Sequence, residues 1–318
     1  MNVLSIVLGS DPAGISSGMA RAFDHHGGGW SLRSMVTNVN YIQYDQDVEW
    51  NAQTAAELWQ AADVVHLHHG FVSADRMVRG FAGRRFNHKP YVVEHHGQQF
   101  REEPRGHLNE LRGRGAIGAA STLDLYLDGQ GELEWTPAPV DVERMQAMKQ
   151  PATDRLLICH APTNREIKST QELLDAVKRL QDDGFAVDLD LIERVPWAEC
   201  LQRKAKADIY FDQVILGYGC NALEAWAMGI PVVAGAADDT LDEMERRFGH
   251  LPFYHATPET IYDALKELVE SPELRKRYGQ IGLDYVRKYH DEPVVVEQLK
   301  GLYQRALDEA PKTQTPSP

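Results

Sequence analysis

The 318-residue chain has three cysteines, Cys159, Cys200 and Cys220, and no CxxC pair. An odd number of widely spaced thiols excludes an ordinary disulfide framework and offers no zinc pattern, so a reducing, cytoplasmic setting is expected. Long apolar runs are missing as well. No stretch approaches the roughly 20 residues of a membrane span, and the opening MNVLSIVLGSDPAG has no basic n-region, so it reads as a first strand and not as a leader. Positive charge is scarce: Lys and Arg number 33 against 47 Asp and Glu, a net of −14. That balance argues against a surface built for non-specific binding to nucleic acid or anionic lipid, although a local basic groove remains compatible with it.

What is present is alternation. Short Val/Ile/Leu-rich runs (VLSIVL, DVVHL, PYVVE, GAIGAAS, then RLLICH, FAVDLDLI, ADIYF, PVVAG) alternate with segments of helical period. Strands buried on both faces and separated by helices predict a parallel, doubly wound α/β sheet. The series restarts after WTPAPVDVERMQAMKQPATD, which carries three prolines. The expected organisation is therefore two Rossmann-like α/β domains facing across a cleft, 1–150 and 151–290. A C-terminal helix, 291–310, is expected to cross back to the first domain, and a Pro/Thr/Ser-rich tail, 311–318, is expected to be disordered. Ligands of such sheets bind beyond the carboxyl ends of the strands, which selects the residues to consider.

After the first strand, GSDPAG places Gly9 and Gly14 in a tight turn. The next helix's amides could face an acceptor hydroxyl or a phosphate there, or the turn serves packing alone. HLHHG (His66, His68, His69) and EHHGQQFR (Glu94 to Arg101) both end strands and collect imidazoles at one crevice. A metal site is one reading, but no HExxH appears and no Asp is interposed, so no metal is assigned. The histidines either bond backbone in a buried loop or, at His95 or His96 beside Gly97, reach a substrate. In HAPTNREIKST, His160, Thr163, Arg165 and Lys168 precede a helix start where cations could meet a diphosphate or lie solvated at a turn. In DQVILGYGCNALEAWAMGIPVVAG, Gly217, Tyr218, Gly219, Cys220 and Asn221 form a turn whose amides can approach phosphate. Glu224, a turn into the helix, can accept from a ribose diol. Phosphate cradle and diol acceptor together describe a nucleotide site.

These residues resemble the retaining GT-B glycosyltransferases of family 4, whose second domain carries E-G-F-G-x-x-x-x-E-A-M-A-x-G-x-P-V-V. Here LGYGCNALEAWAMGIPVVAG matches from Gly217 onward. WTPAPVDVERM resembles the family's interdomain segment, EHHG its histidine loop, and RKYHDEPVVVEQLKGLY its C-terminal helices. HAPTNREIKST with DQVILGYG is similar to glycosyltransferases encoded by bacteriophages. The resemblance implies a nucleotide-sugar donor, UDP- or GDP-linked, with no further cofactor. It implies that Glu224 binds the donor ribose, that Lys168 and Arg165 hold the diphosphate, that amides around Gly219 to Asn221 face the phosphates, and that His95 or His96 touches the transferred sugar. The family's first Glu is Leu216 here, which leaves Asp212 or Gln213 to take part of its role. The family's Arg five residues before the lysine is Thr163.

The implied reaction moves a sugar to an acceptor hydroxyl with retained configuration, the leaving diphosphate itself accepting the proton. Gly9, Gly14, His68, His69 and Arg101 fall on the acceptor side. Residues 79–114 hold Arg79, Arg84, Arg85, Lys89, Arg101, Arg105, Arg112 and Arg114, a segment that either faces an anionic acceptor or is a solvated surface. The acceptor is then a glycan, a protein, a small molecule, or a hydroxymethylated pyrimidine in phage DNA, which would have to be flipped out of its duplex. A non-catalytic nucleotide-binding scaffold is the reading from another class. Oligomeric state is open at this level.

Overall fold

A computed structural model of the chain describes residues 1–70, 80, 89–151 and 154–310. The expected tail at 311–318 lies outside the described residues, as do Arg79, Arg84 and Arg85. The chain divides into two compact units. One is Met1–Pro139 together with the segment from Glu292 onward, and the other is Val140–Asp291.

Among the described residues the first unit holds six parallel strands: β1 (Asn2–Val7), β2 (Ser31–Val36), β3 (Val64–His68), β4 (Tyr91–His95), β5 (Ile117–Ala120) and β6 (Leu133–Trp135). Their spatial order is β2-β1-β3-β4-β5-β6. Leu4, Ile6, Val65, Leu67 and Val93 pack one sheet face against Trp59, Phe100, Leu108 and Leu111 from the covering helices. Each such side chain, when fully buried, contributes about 1.5–3 kcal/mol. The helix Glu292–Glu309 belongs to this unit. Its Glu292 accepts from Arg21 Nε at 2.7 Å, and Tyr303 lies 6.1 Å from the Phe23 ring.

The second unit is built from β7 (Leu156–His160), β8 (Val187–Leu191), β9 (Ile209–Phe211), β10 (Leu216–Gly217), β11 (Val232–Ala236) and β12 (Tyr254–His255). The order is β10-β11-β9-β7-β8, with β12 also on β11 and β10 antiparallel to it. In both units the order reverses beside the first strand, between β1 and β3 and between β7 and β9. Such a reversal opens a crevice past the carboxyl ends. Gly9 and Gly14 follow β1, His69 follows β3, Thr163, Arg165 and Lys168 follow β7, and Asp212 and Gln213 follow β9, whereas His96 and Arg101 follow β4 and Tyr218 to Glu224 follow β10. Among the described residues no helix is long and apolar enough to cross a membrane.

Candidate functional site

In the second unit, β7 delivers His160 into a closed environment. Its Nδ1 lies 2.9 Å from the Phe211 carbonyl and its Nε2 2.9 Å from Thr170 Oγ1. A carbonyl only accepts, so Nδ1 carries the proton and Nε2 accepts from the hydroxyl. Burial lowers the pKa to about 4, which keeps the ring neutral. Both nitrogens are thus engaged inside the protein, and His160 ties β7 to β9 and to the helix Thr170–Asp182.

The loop after it is exposed at Thr163. Arg165 turns to Glu193, with Nε 2.8 Å and Nη2 2.5 Å from its two carboxylate oxygens. Ser169, buried at φ +48°, takes the left-handed conformation that a non-glycine residue adopts only at a cost of about 1–3 kcal/mol. Just before it, Lys168 leaves the loop and donates from Nζ to Asp212 Oδ1 at 2.9 Å.

Asp212 is the centre of the cluster. It follows β9, is buried, and accepts from the Gly219 amide at 2.6 Å through its second oxygen. One cation and one amide therefore converge on one carboxylate, the same donor pair expected to face a diphosphate. Gly217, at φ +86°, makes the turn that brings Gly219 back to Asp212. Gln213 is buried beside it, and its Oε1 has no hydrogen-bond partner. Leu216 is half-buried on β10 opposite Ala236.

Tyr218 points the other way. Its hydroxyl lies 2.5 Å from Tyr285 Oη and 3.2 Å from His290 Nε2, and burial raises its pKa. The His290 carbonyl in turn accepts from Val140 N at 2.8 Å. The turn between two glycines is thus anchored to Tyr285 and His290, and through the His290 carbonyl to Val140, the first residue of its own unit.

Half-buried Cys220 opens the helix Cys220–Ala227, where Asn221 donates to the Ala161 carbonyl at 3.3 Å. Glu224 sits one turn further on. Its Oε1 accepts from Trp197 Nε1 at 2.6 Å, and its Oε2 pairs with Lys204 Nζ. Neither Trp197 nor Lys204 figures in the sequence reading. Burial opposes the Lys204 charge, yet the Glu224 carboxylate carries its pKa above the ordinary value. A carboxylate offers about four lone-pair sites, so both oxygens of Glu224 retain acceptor capacity.

In the first unit, buried serines and histidines form a hydrogen-bonded series. Ser121 Oγ lies 3.4 Å from His96 Nδ1, and His96 Nε2 lies 2.8 Å from His68 Nδ1. His68 Nε2 is 2.9 Å from Ser5 Oγ, which continues to Ser16 Oγ at 2.7 Å and Ser34 Oγ at 2.6 Å. Burial holds the pKa of His68 and His96 well below the usual imidazole value. His95 is also buried, with Nε2 unbonded and its ring 4.6 Å from Phe100. Burial takes its pKa to about 3. His69, at φ +72°, lies edge-on to His96.

His66 and His68 share a strand face, with rings stacked at 4.7 Å. His66 Nδ1 lies 2.8 Å from Tyr303 Oη, and its Nε2 lies 3.2 Å from buried Glu94. His66, His68 and Glu94 bring ligand-type atoms within 4.8 Å of one another. Both nitrogens of His68 are engaged by Ser5 and His96, whereas His66 Nε2 and both oxygens of Glu94 make no hydrogen bond.

For two features of this unit the structure bears on alternatives that the sequence leaves open. The first-turn amides of the helix Ile15–His26 are not open to a ligand, because Asp11 accepts from Ser16 N at 3.0 Å and Ser17 N at 2.9 Å. Gly14, at φ +73°, packs against Tyr44, and a Cβ there would lie 2.6 Å from that ring. Gly9, at φ +106°, donates to Thr37 Oγ1 at 2.8 Å. In the basic segment only the exposed Arg105, among the described members, makes no ion pair or hydrogen bond. Arg101 pairs with Asp124, Arg112 with Glu132 and Arg114 with Glu110, while Lys89 donates to the Ala62 carbonyl.

No protein-family model matches the chain. Phosphatidyl-myo-inositol mannosyltransferase of Mycobacterium leprae (strain TN) is 30% identical over 145 residues, which is 44% of this chain and 37% of that protein. The match therefore spans little more than a third of the curated relative. Solved structures resemble the chain over nearly its whole length. A glycosyltransferase from Rickettsia africae has a TM-score of 0.69 at 12% identity, covering 96% of this chain and 98% of its own. An alpha-glucosyltransferase in complex with UDP and a 13-mer DNA containing a HMU base has a TM-score of 0.67 at 9% identity, covering 95% and 99%. The fold is thereby that of the GT-B class, two Rossmann-like α/β domains in one chain.

Proposed function

We propose that the chain is a glycosyltransferase that moves a sugar from a nucleoside-diphosphate donor, UDP- or GDP-linked, to an acceptor hydroxyl with retention of configuration. The observation that carries this reading is the convergence of Lys168 Nζ and the Gly219 amide on one point beyond β9, with Glu224 one helical turn away. A diphosphate would take over the Lys168 and Gly219 donors, and Glu224 would accept from the ribose. Arg165 would reach the diphosphate by leaving Glu193, while amides at Cys220 and Asn221 would add to the cradle. Catalysis on this reading is placement plus stabilisation of the leaving diphosphate, which needs no dedicated protein base. On the acceptor side, His95 or His96 would contact the transferred sugar. Family 4 membership and a phage-type origin belong to the same proposal.

For the acceptor, a hydroxymethylated pyrimidine in DNA has the stronger support, because the DNA-bound alpha-glucosyltransferase matches 95% of the chain. Its phosphate contacts would come from the exposed Arg105 and from arginines that exchange their present carboxylate partners, and binding should then fall steeply with salt. A glycan, protein or small-molecule acceptor is the second reading, favoured by the partial identity to a mannosyltransferase.

The test is a thermal-shift and hydrolysis screen against UDP-, GDP-, ADP- and TDP-sugars, since bound donor stabilises the folded state by mass action. Duplexes with and without 5-hydroxymethylpyrimidine follow, with sugar transfer read by mass. Stabilisation by one donor and transfer only to the modified duplex is the expected result. No shift with any donor would sink the transferase reading in favour of a scaffold, whereas unchanged turnover in both Lys168→Ala and Glu224→Ala would overturn the site assignment. Leu216→Glu is expected to alter donor use if that side chain lines the sugar pocket.

A further inference from the structure

Two side chains outside every motif that suggested a nucleotide site hold the carboxylate at its centre. Trp197 and Lys204 begin and end one eight-residue helix. Seven residues make nearly two turns, so both lie on one face. From that face the indole donates to Glu224 Oε1 at 2.6 Å and the ammonium pairs with Oε2. Lys204 is fully buried. Its remaining donors go to Asn221 Oδ1 at 2.7 Å and the Asn221 carbonyl at 3.3 Å, and its ammonium lies 5.0 Å from the centroid of the Tyr210 ring.

Packing alone does not ask for this chemistry. Two helices can fill the same volume with Leu and Met, and a buried ion pair is often no better for stability than its apolar replacement. What the pair does is remove the freedom of Glu224. One lone pair on each oxygen is spent, and the carboxylate is fixed with one acceptor position left on each. A ribose diol carries two O–H donors, and a carboxylate held beforehand loses little entropy in meeting them. Lys204 also compensates the charge of Glu224, which would otherwise oppose a diphosphate arriving nearby.

We propose that Trp197 and Lys204 are positioning residues that orient Glu224 toward the 2′,3′-diol of the donor nucleotide, so that discrimination between ribose and deoxyribose is set by the helix Trp197–Lys204. This rests on reading Glu224 as the ribose acceptor.

The experiment is titration calorimetry of the full chain with UDP and GDP, then with the 2′-deoxy and 2′,3′-dideoxy forms of whichever binds. It uses wild type, Trp197→Phe, Lys204→Met and Glu224→Gln. Wild type is expected to prefer the ribonucleotide by about tenfold or more, the worth of a hydrogen bond to a charged group. Trp197→Phe and Lys204→Met should each lose most of that preference while binding the dideoxy form as wild type does. A merely structural role would weaken all forms alike and leave the ratio intact, which would overturn the inference. Trp197→Phe keeps the ion pair and decides the question alone if Lys204→Met does not fold. Wild type that binds neither UDP nor GDP overturns the donor reading itself. Wild type that binds without discrimination overturns the ribose role of Glu224 and this inference with it.

Discussion

In the first unit the buried Ser5, Ser16, Ser34, His68 and His96 form a neutral hydrogen-bonded series alongside the carboxylates Asp11 and Glu94, with both imidazoles kept uncharged by burial. In the second unit charges stand in compensated pairs, Lys168 with Asp212 and Lys204 with Glu224. The two units are thus furnished in two ways. A neutral series of hydroxyls and imidazoles, all of them buried, ties the strands and the first helix together without itself placing charge inside the unit. A set of paired charges can change partners when an anion arrives, which is what diphosphate recognition requires. The contrast implies that the units respond differently to loss of charge and to acid.

The largest effect should come from breaking the buried pair of the charged unit. Lys204→Met leaves the Glu224 carboxylate buried without its cation, and such a change costs about 3–5 kcal/mol. Adding Glu224→Leu should recover much of that loss, because apolar replacement of both partners is often neutral. Urea unfolding of the three proteins checks it. A double variant no more stable than Lys204→Met would show that the ion pair itself, and not the orphaned charge, carries the stability.

Acid should sharpen the comparison from the other side. The folded pKa of His160 is about 4 and that of His95 about 3, both below the ordinary imidazole value near 6.5. The unfolded chain therefore takes up protons first. Stability is complete above about pH 6.5 and declines as the pH falls toward the folded values, by roughly 2 kcal/mol per such histidine at pH 5. Because His68, His95 and His96 all lie in the first unit, its hydrogen-exchange protection should fall further than that of the second between pH 7.5 and 5. Equal losses in the two would contradict the neutral assignment of the series.

The parts of this contrast that were legible in the sequence are those carried by local pattern. Eight apolar runs became strands, and both switch points fell where the strand-end residues stood. β2 was not read because SLRSMV shows Ser and Arg where a buried strand should show Val and Ile, and Ser34 is buried only because its hydroxyl meets Ser16. β6, β10 and β12 are two or three residues long, too short for any periodicity to register. Lys204 was missed because LQRKAKAD reads as a solvated basic helix end. Its partner lies 20 residues away, beyond a strand and a turn. The one local hint was Trp197, seven positions earlier on the same face. The serine and imidazole series joins residues from six separate segments, which only the folded topology assembles.

A smaller effect tests how the donor turn is held. Tyr218→Phe removes a buried hydroxyl that meets Tyr285 and His290, at a cost of about 1–2 kcal/mol. Exchange of the Val140 amide, which donates to the His290 carbonyl, should quicken in this variant. Unchanged protection there would separate the Gly217–Gly219 turn from the Val140–His290 pairing.

The smallest effect on stability should come from Arg165 and Glu193, and it carries information because it is small. The pair is solvent-exposed, where ion pairs contribute little. Neither Arg165→Ala nor Glu193→Ala should move the unfolding midpoint measurably. Donor binding should nevertheless separate them. If Arg165 serves the diphosphate by leaving Glu193, then Glu193→Ala releases it beforehand and donor association quickens, while Arg165→Ala slows it, both differences shrinking at high salt. Stopped-flow association rates at two ionic strengths distinguish this from a purely superficial pair, for which the two variants would behave alike. A pair that is idle in stability yet opposed in donor association would place Arg165 with Lys168 among the charges that exchange partners, extending the charged side of the comparison to the surface of the unit.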